Sequence, residues 1–366
     1  MNAIYLISRA RPAGPTNQAL NILRGMQNNG EVKMTLVTLM PEQKGNSWLS
    51  RFEENGIKVV QLNQDRFNIF RCVSVLSRYV RRNNIDVIHS TGYQADLVNM
   101  LVREDVKKVS TQRCHPREIG EKQSKWTRPF LEWGHLQIIK RMDAVVACSL
   151  SLQNTFVNGF GINTFAVQNG VDTERFFPLS SQERAKIRQQ LGIGDNERIF
   201  LVLGSLRPRK NVGLIISAFS HANLKNYRLL IVGNGPDEES LHAQAADNKC
   251  VTFTGHISTP LKYLQAADVL VSSSLNEGLP NTVLEAMACG IPSILSDIGP
   301  HLELLDNPDV GVSFKSDSEE ELIDCIREST SWDLNDKRDK IRKYAEQEFG
   351  ISVLAKKYAQ IYNQTI

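Results

Sequence analysis

Glu277–Pro292 reads E-G-L-P-N-T-V-L-E-A-M-A-C-G-I-P, with two carboxylates, Glu277 and Glu285, eight residues apart. The first falls in a Gly/Pro-bearing loop and the second about one turn into a helix. Asn281 and Thr282 are N-cap types, while Val283, Leu284, Met287 and Ala288 form a packing face. Gly290 and Pro292 stop the helix. A loop that turns abruptly into a helix gathers backbone N–H groups and the positive dipole end at one point. That geometry suits an anion such as a diphosphate. A carboxylate on either side accepts hydrogen bonds from a polyol. Diphosphate plus polyol is the chemistry of a nucleotide sugar.

With Gly278, Pro280, Ala286, Met287, Gly290 and Pro292 in place, the string resembles the E-x7-E signature of the retaining glycosyltransferases of family 4. That family has the GT-B fold: two Rossmann-like parallel-sheet α/β domains facing a central cleft. The resemblance implies that Glu277 holds the donor sugar through its hydroxyls and Glu285 the ribose diol. The Gly278, Leu279, Pro280 and Asn281 segment would cradle the diphosphate. An amphipathic helix flanked by two accidental acidic residues is the plain alternative.

Outward from this segment, short β-rich runs alternate with helix-length amphipathic stretches. Strands are expected at Ala3–Ser8, Val32–Leu39, Ile57–Gln61, Asp86–His89, Lys108–Thr111, Ala144–Cys148 and Thr164–Gln168. Helical patterns at Thr16–Asn28, Ile69–Asn83 and Ala95–Val102 lie between them. The pattern breaks around Phe177–Ser180, and after a helix at Gln182–Leu191 a second alternation begins. Its strands are expected at Ile199–Leu203, Tyr227–Val232, Val251–Phe253, Val269–Ser272 and Ser293–Leu295, with only helices from Ser318 onward. Such alternation predicts two parallel sheets covered by helices. The expected division is 1–178 with the last helix, 351–366, as an acceptor-binding domain, and 179–350 as a donor-binding domain. The return of the last helix to the first domain is implied by the resemblance.

Gly204-Ser205-Leu206-Arg207-Pro208-Arg209-Lys210-Asn211 follows a strand and precedes a helix. Basic side chains there suit a leaving diphosphate, whose developing charge is the main electrostatic demand of glycosyl transfer. The family pattern G-R-L-x-x-x-K has its arginine where this chain has Ser205. Arg209 is preferred to Arg207 as its substitute, beside Lys210. Val232-Gly233-Asn234-Gly235-Pro236 resembles the family turn V-G-x-G-P, where glycine permits close backbone approach to a nucleotide. Phe253-Thr254-Gly255-His256 resembles the F-x-G-x segment bordering the base. In both, a plain strand-to-loop glycine is an equal reading.

In the first half, Gly14-Pro15-Thr16-Asn17-Gln18 resembles the family's glycine loop, which faces the donor diphosphate and acceptor. Gly14 and Asn17 are its candidates, although Thr16 or Asn17 as a helix cap explains the string equally well. His89 ends a strand of the family pattern D-[VI]-[VI]-H, where a structural role is the more common one. Ser110–Pro116 corresponds to the loop that carries a histidine near the reacting sugar. By spacing that histidine aligns with Arg113, whereas the available imidazole is His115. Histidine is the better proton partner near neutrality and arginine the better phosphate clamp. Asn169-Gly170-Val171-Asp172, with Phe176 and Pro178, resembles the N-G-V-D-x-x-x-F-x-P hinge.

Composition agrees with an ordinary globular chain: 41% apolar and 23% charged over 366 residues, enough for two domains. No run approaches a membrane span, and the N-terminus reads as a first strand rather than a signal peptide. Six scattered cysteines without a C-x-x-C pair fit reduced thiols in a cytoplasm and argue against zinc. No G-x-G-x-x-G follows the first strand and no P-loop motif occurs, against dinucleotide dehydrogenases and P-loop NTPases. No D-x-D marks a Mg²⁺ site, and the resemblance implies neither metal nor cofactor.

Charge is uneven. Between Asp65 and Asp143 there are 15 Lys/Arg against 9 Asp/Glu. Trp126, Phe130 and Trp133 recur at i, i+4, i+7 among Lys122, Lys125, Arg128, Lys140 and Arg141. A cation-edged aromatic stripe suits an anionic membrane surface, peripherally on its cytoplasmic face, and a polyprenyl-diphosphate-linked acceptor. Packing of these aromatics into the first core is the equal alternative. Nucleic acid is not expected, because its recognition motifs are missing. The expected function is retaining, metal-independent transfer from a UDP-sugar in surface-polysaccharide (O-antigen, capsule or exopolysaccharide) synthesis. A GT-B nucleotide-sugar 2-epimerase and a catalytically silent sugar-nucleotide-binding subunit remain as alternatives.

Overall fold

A computed structural model of the chain describes residues 1–43, 45–65, 68–118 and 126–365. The chain divides into two compact units, Met1–Gly170 with Ile351–Ile366, and Val171–Gly350.

In the first unit, seven parallel strands lie in the order β3-β2-β1-β4-β5-β6-β7. They are β1 (Asn2–Ile7), β2 (Lys33–Thr38), β3 (Lys58–Gln61), β4 (Val87–Ser90), β5 (Lys107–Gln112), β6 (Ala144–Ala147) and β7 (Phe165–Ala166). Alternate residues of β1 enter opposite cores. Tyr5 packs with Ile22, Leu23, Tyr358 and Tyr362, while Ile4 and Leu6 pack with Leu76 and Val98. Burial on both faces is why these strands read as near-continuous apolar runs. The last helix, Ile351–Thr365, lies against Gly14–Asn29. A Cβ on Gly25 would stand 2.5 Å from the Ile351 carbonyl oxygen and 2.8 Å from the Ala355 Cβ. Glycine therefore sets the close approach of these two helices.

The second unit carries six parallel strands in the order β10-β9-β8-β11-β12-β13. These are β8 (Arg198–Leu203), β9 (Tyr227–Val232), β10 (Val251–Phe253), β11 (Val269–Ser272), β12 (Ser293–Ser296) and β13 (Gly311–Phe314). Phe200, Val202, Leu229, Ile231, Val269 and Val271 form its core with Ile215 and Phe219.

Four expectations need correction. The expected boundary near 178 falls instead at Gly170/Val171. The Val171 amide donates to Phe349 O (2.7 Å), and Arg342 donates to the carbonyls of Thr173 (2.7 Å) and Phe176. These bonds tie the whole 171–176 turn into the second unit. Strand β13 was not expected, since G-V-S-F is short, lies at the sheet edge and is largely half-exposed. The expected strand Thr164–Gln168 shrinks to the two residues of β7. Finally, neither predicted cap is one. The helix Gly14–Asn29 begins before Thr16 and Asn17, and Asn281 is the first residue of Asn281–Ala288, with Pro280 at the N-cap.

Candidate active site

β8 and β11 are neighbours in the second sheet, although β9 and β10 separate them in sequence. Strand order reverses between them, the position where ligands of open α/β sheets bind. Two loops leave this point, Gly204–Asn211 after β8 and the segment from Ser273 to Pro280 after β11. Hydrogen bonds join them. The Ser273 hydroxyl donates to the carbonyls of Lys210 (3.0 Å) and Asn211 (2.8 Å). The Leu275 amide donates to Arg209 O (2.8 Å), and Arg209 Nη1 returns a bond to Asn276 O (2.9 Å).

This joining brings Lys210 and Arg209 to Glu277. Lys210 Nζ donates to Oε1, Arg209 Nη1 lies 3.2 Å from Oε2, and the Ser274 hydroxyl donates to Oε1 (3.1 Å). The Glu277 side chain is only 10% exposed. Burial alone would raise its carboxyl, but Lys210 and then Arg209 more than offset this and hold it below the usual range. Arg207 is exposed. Ser205 lines a narrow cavity of about 20 Å³ with Gly204, Lys210, Ser274 and Thr282, room for about one water.

The helix Asn281–Ala288 starts beside this cluster. Leu279 and Pro280 are buried ahead of it, as are Val283, Leu284, Met287 and Ala288 along it. Gly278 and Glu285 are half-buried. Burial, with Glu285 one turn away, pushes the Cys289 thiol up to about 12. Arg342 Nη1 donates to Ala288 O (2.7 Å), placing a cation at the C-terminal dipole end.

The strand-end glycines have a reason in the chain itself. At Gly233, φ is +143° and a Cβ would meet Gly204 O at 1.8 Å; at Gly235 it would meet Leu206 O at 2.0 Å. The two turns lie backbone against backbone, so glycine is required there by the neighbouring loop. Gly255, with φ +68°, faces open space.

One group at this edge escaped the sequence reading. His301, in the short helix Gly299–Leu302 that follows β12, is fully buried. Its Nδ1 lies 2.9 Å from the Ser296 hydroxyl and 3.1 Å from the Ser296 carbonyl oxygen. Burial pushes its imidazole down to about 4, against the opposing pull of Glu277. The available signal was a histidine just past a strand adjoining the one that leads to Glu277.

In the first unit, Gly14 is exposed and Asn17 half-buried in the opening turn of Gly14–Asn29. His89 is a core residue. Its Nδ1 lies 2.6 Å from Tyr362 Oη and its Nε2 2.7 Å from Thr111 Oγ1, with Tyr5 and Tyr358 against the ring. Arg113 is also committed inward, donating to Asn169 Oδ1 (2.7 Å) and Tyr5 Oη (3.3 Å). His115 is half-buried, and its Nδ1 accepts from the Arg117 amide (3.1 Å). Burial and then Arg117 lower its pKa, which favours a neutral imidazole.

Trp126, Phe130 and Trp133 are 87%, 77% and 65% exposed, so they do not pack the core. The helix Arg128–Ile139 buries His135, Ile138 and Ile139 instead. Lys122 and Lys125 lie outside the described residues. Among the described residues no helix is long and apolar enough to cross a membrane.

Residues 12–175 match the family described as Glycosyltransferase Family 4, and residues 183–348 match Glycosyl transferases group 1. Fold and matches together define a GT-B glycosyltransferase. The chain is similar to the O-antigen biosynthesis glycosyltransferase WclY of Escherichia coli, at 22% identity over 99% of this chain and 98% of WclY. It is similar to EpsD of Bacillus subtilis at 32% identity, over 40% of each chain. Among solved structures, Anabaena HepE in complex with UDP superposes with a TM-score of 0.83 at 19% identity, over 100% of both chains.

Proposed function

We propose that this GT-B glycosyltransferase moves a sugar from a UDP-sugar to an acceptor hydroxyl with retention of configuration and without a metal. The acceptor would be a polyprenyl-diphosphate-linked oligosaccharide of a cell-surface polysaccharide. One observation carries the reading: Glu277 of the E-x7-E string meets Lys210 and Arg209 where the strand order reverses. In this reading Lys210, Arg209 and the Gly278–Asn281 turn stabilise the leaving diphosphate, which needs charge compensation more than protonation. Glu277 holds the sugar hydroxyls and Glu285 the ribose diol. Gly233, Gly235 and Gly255 border the nucleotide. In the first unit Gly14 and Asn17 face the donor. His115 is favoured over Arg113 near the reacting sugar, because Arg113 already serves Asn169 and Tyr5. HepE, crystallised with UDP-glucose, supports a uridine donor, and the name of WclY supports the pathway.

The direct test incubates the protein with a panel of nucleotide sugars, with and without a chelator, and follows binding and hydrolysis. Turnover of one UDP-sugar in chelator is expected. Failure to bind any of them would overturn the reading.

Glu285→Ala is expected to weaken donor binding by about 1.5–3 kcal/mol, the range for a hydrogen bond to a charged group. The diol is bound before and after reaction, so the loss belongs in the Michaelis constant. Calorimetry showing equal donor affinity in mutant and parent would remove Glu285 from the ribose.

The exposed Trp126, Phe130 and Trp133, with half-buried Arg128 and exposed Lys140 and Arg141 nearby, suit attachment to an anionic membrane surface. Vesicle sedimentation is expected to show binding that needs anionic lipid and weakens with salt, since exposed charges are screened beyond about 8–10 Å. Binding indifferent to lipid charge and salt would exclude the electrostatic part. No binding at all would move the acceptor to a soluble sugar.

A further inference from the structure

Glu277 is anchored by more than its two cations. The Ser274 hydroxyl donates to its Oε1 (3.1 Å), and the carbonyl of the same Ser274 accepts from the Ser296 hydroxyl (2.6 Å) at the end of the next strand. Ser296 is met in turn by His301 Nδ1, which lies within hydrogen-bond distance of both its hydroxyl and its carbonyl oxygen. A carbonyl only accepts, so Nδ1 carries the ring proton. The Ser296 hydroxyl, whose own hydrogen goes to Ser274, is likewise an acceptor toward the imidazole. Two bonds therefore run in one direction, from the His301 ring through the Ser296 hydroxyl to the Ser274 carbonyl, and they fix the residue whose own hydroxyl separately donates to the carboxylate. The two bonds that share the Ser296 hydroxyl polarise one another where the surroundings are buried.

The tautomer leaves Nε2 a bare acceptor, and that atom is buried with no partner. An unpaired buried acceptor is destabilising, and an apolar side chain of similar volume would avoid it. Its presence calls for a compensating role, which the Nδ1 bonds to Ser296 provide. Burial keeps the ring neutral near pH 7 and so keeps the donor pattern fixed.

We infer that His301 is a positioning residue: through Ser296 and Ser274 it sets where the Glu277 carboxylate stands against the donor sugar. This rests on the reading that Glu277 holds that sugar. It predicts a selective fault, because in that reading Glu277 bonds the hydroxyls of the donor sugar, which UDP lacks.

The test compares His301→Leu and His301→Asn with the parent, measuring UDP-glucose and UDP affinity by calorimetry together with Tm. His301→Leu, which removes the donor, is expected to bind UDP-glucose about 5–10-fold more weakly, the size of one well-placed hydrogen bond. Its UDP affinity should stay within about twofold, a split that a general packing fault would not produce. His301→Asn places an amide N–H where Nδ1 stood and should keep both affinities within about twofold. Should His301→Leu fail to fold, Ser296→Ala breaks the same series one link on and must show the same split. Parent-like UDP-glucose binding in His301→Leu, parallel loss of UDP, or an Asn variant as weak as the Leu one would each overturn the inference while leaving the donor reading intact. A parent that binds neither ligand would overturn the donor reading, and the inference with it.

Discussion

Lys210→Met is expected to lower turnover of the nucleotide sugar by roughly 10²–10³, the loss typical of one preorganised electrostatic donor. Two consequences of the geometry combine. The substitution removes a fixed cation from the leaving diphosphate, and it leaves Glu277 to Arg209 and Ser274 among the described residues. Burial pushes the Glu277 carboxyl up while Lys210 and Arg209 hold it down. Without Lys210 the balance moves toward burial and the carboxyl rises. The acid limb of the activity profile should therefore move to higher pH, because the ionised form is now lost sooner as pH falls. Arg209→Met should act in the same direction and with similar size. Arg207→Met, at an exposed position, should leave turnover within about twofold. Pre-steady-state turnover of the three variants across pH decides the matter. A larger loss at Arg207 than at Arg209 would show that the wrong arginine stands for the one missing at Ser205, and an unmoved acid limb in Lys210→Met would detach Lys210 from Glu277.

Parts of this arrangement were legible in the sequence because local chemistry dictates them. The runs Tyr227–Val232, Val251–Phe253 and Val269–Ser272 are short and apolar between turn residues, and the strands match them to the residue. Helix Ile69–Asn83 was likewise read from its amphipathic pattern, and the structure caps it with Asn68, whose side chain accepts from the Arg71 amide. What failed was decided by packing at a distance. Gly311–Phe314 has too few apolar residues to show a period, yet its carbonyls and amides pair with β12. Asn281 and Thr282 have the right chemistry for a cap, but with Leu279 and Pro280 buried the helix starts one residue earlier than a cap at Asn281 would allow and two earlier than a cap at Thr282.

The site divides in the same way. Glu277, Arg209 and Lys210 were readable as one cluster because the β8 and β11 loops must leave the same sheet edge. The structural role favoured for His89 holds, but its partner Tyr362, 273 positions later, was not readable. Nor was the commitment of Arg113, which depends on Asn169 and on Tyr5 in β1. Both residues ended strands in a familiar string, and only tertiary contacts separate a buried polar network from an open site.

Gly233 tests that separation most severely. Its resemblance to a nucleotide-facing turn predicts that a methyl group there costs donor affinity, whereas the packing predicts that it costs the fold. At φ +143° an L residue is strained, and the added Cβ would lie 1.8 Å from Gly204 O and 2.9 Å from Gly204 C, both backbone atoms. Neither side can yield easily: the Gly204 amide donates to Val232 O (3.0 Å), and the Gly233 amide donates to Gly255 O (3.0 Å). Backbone strain of about 1–3 kcal/mol and overpacking of about 1–3 kcal/mol therefore act together in Gly233→Ala. For a unit of this size each kcal/mol is worth about 2–4 °C, so a fall in Tm of roughly 5–20 °C is expected. Gly255→Ala is the control. Its φ of +68° also disfavours a side chain, but a Cβ there meets nothing within 4 Å, so only the left-handed strain of about 1–2 kcal/mol remains. Calorimetric melting of both variants, with donor affinity measured below the transition, separates the two explanations. A Gly233→Ala protein that melts with the parent yet has lost its donor would return this glycine to the nucleotide, and the close contact with Gly204 would no longer account for it.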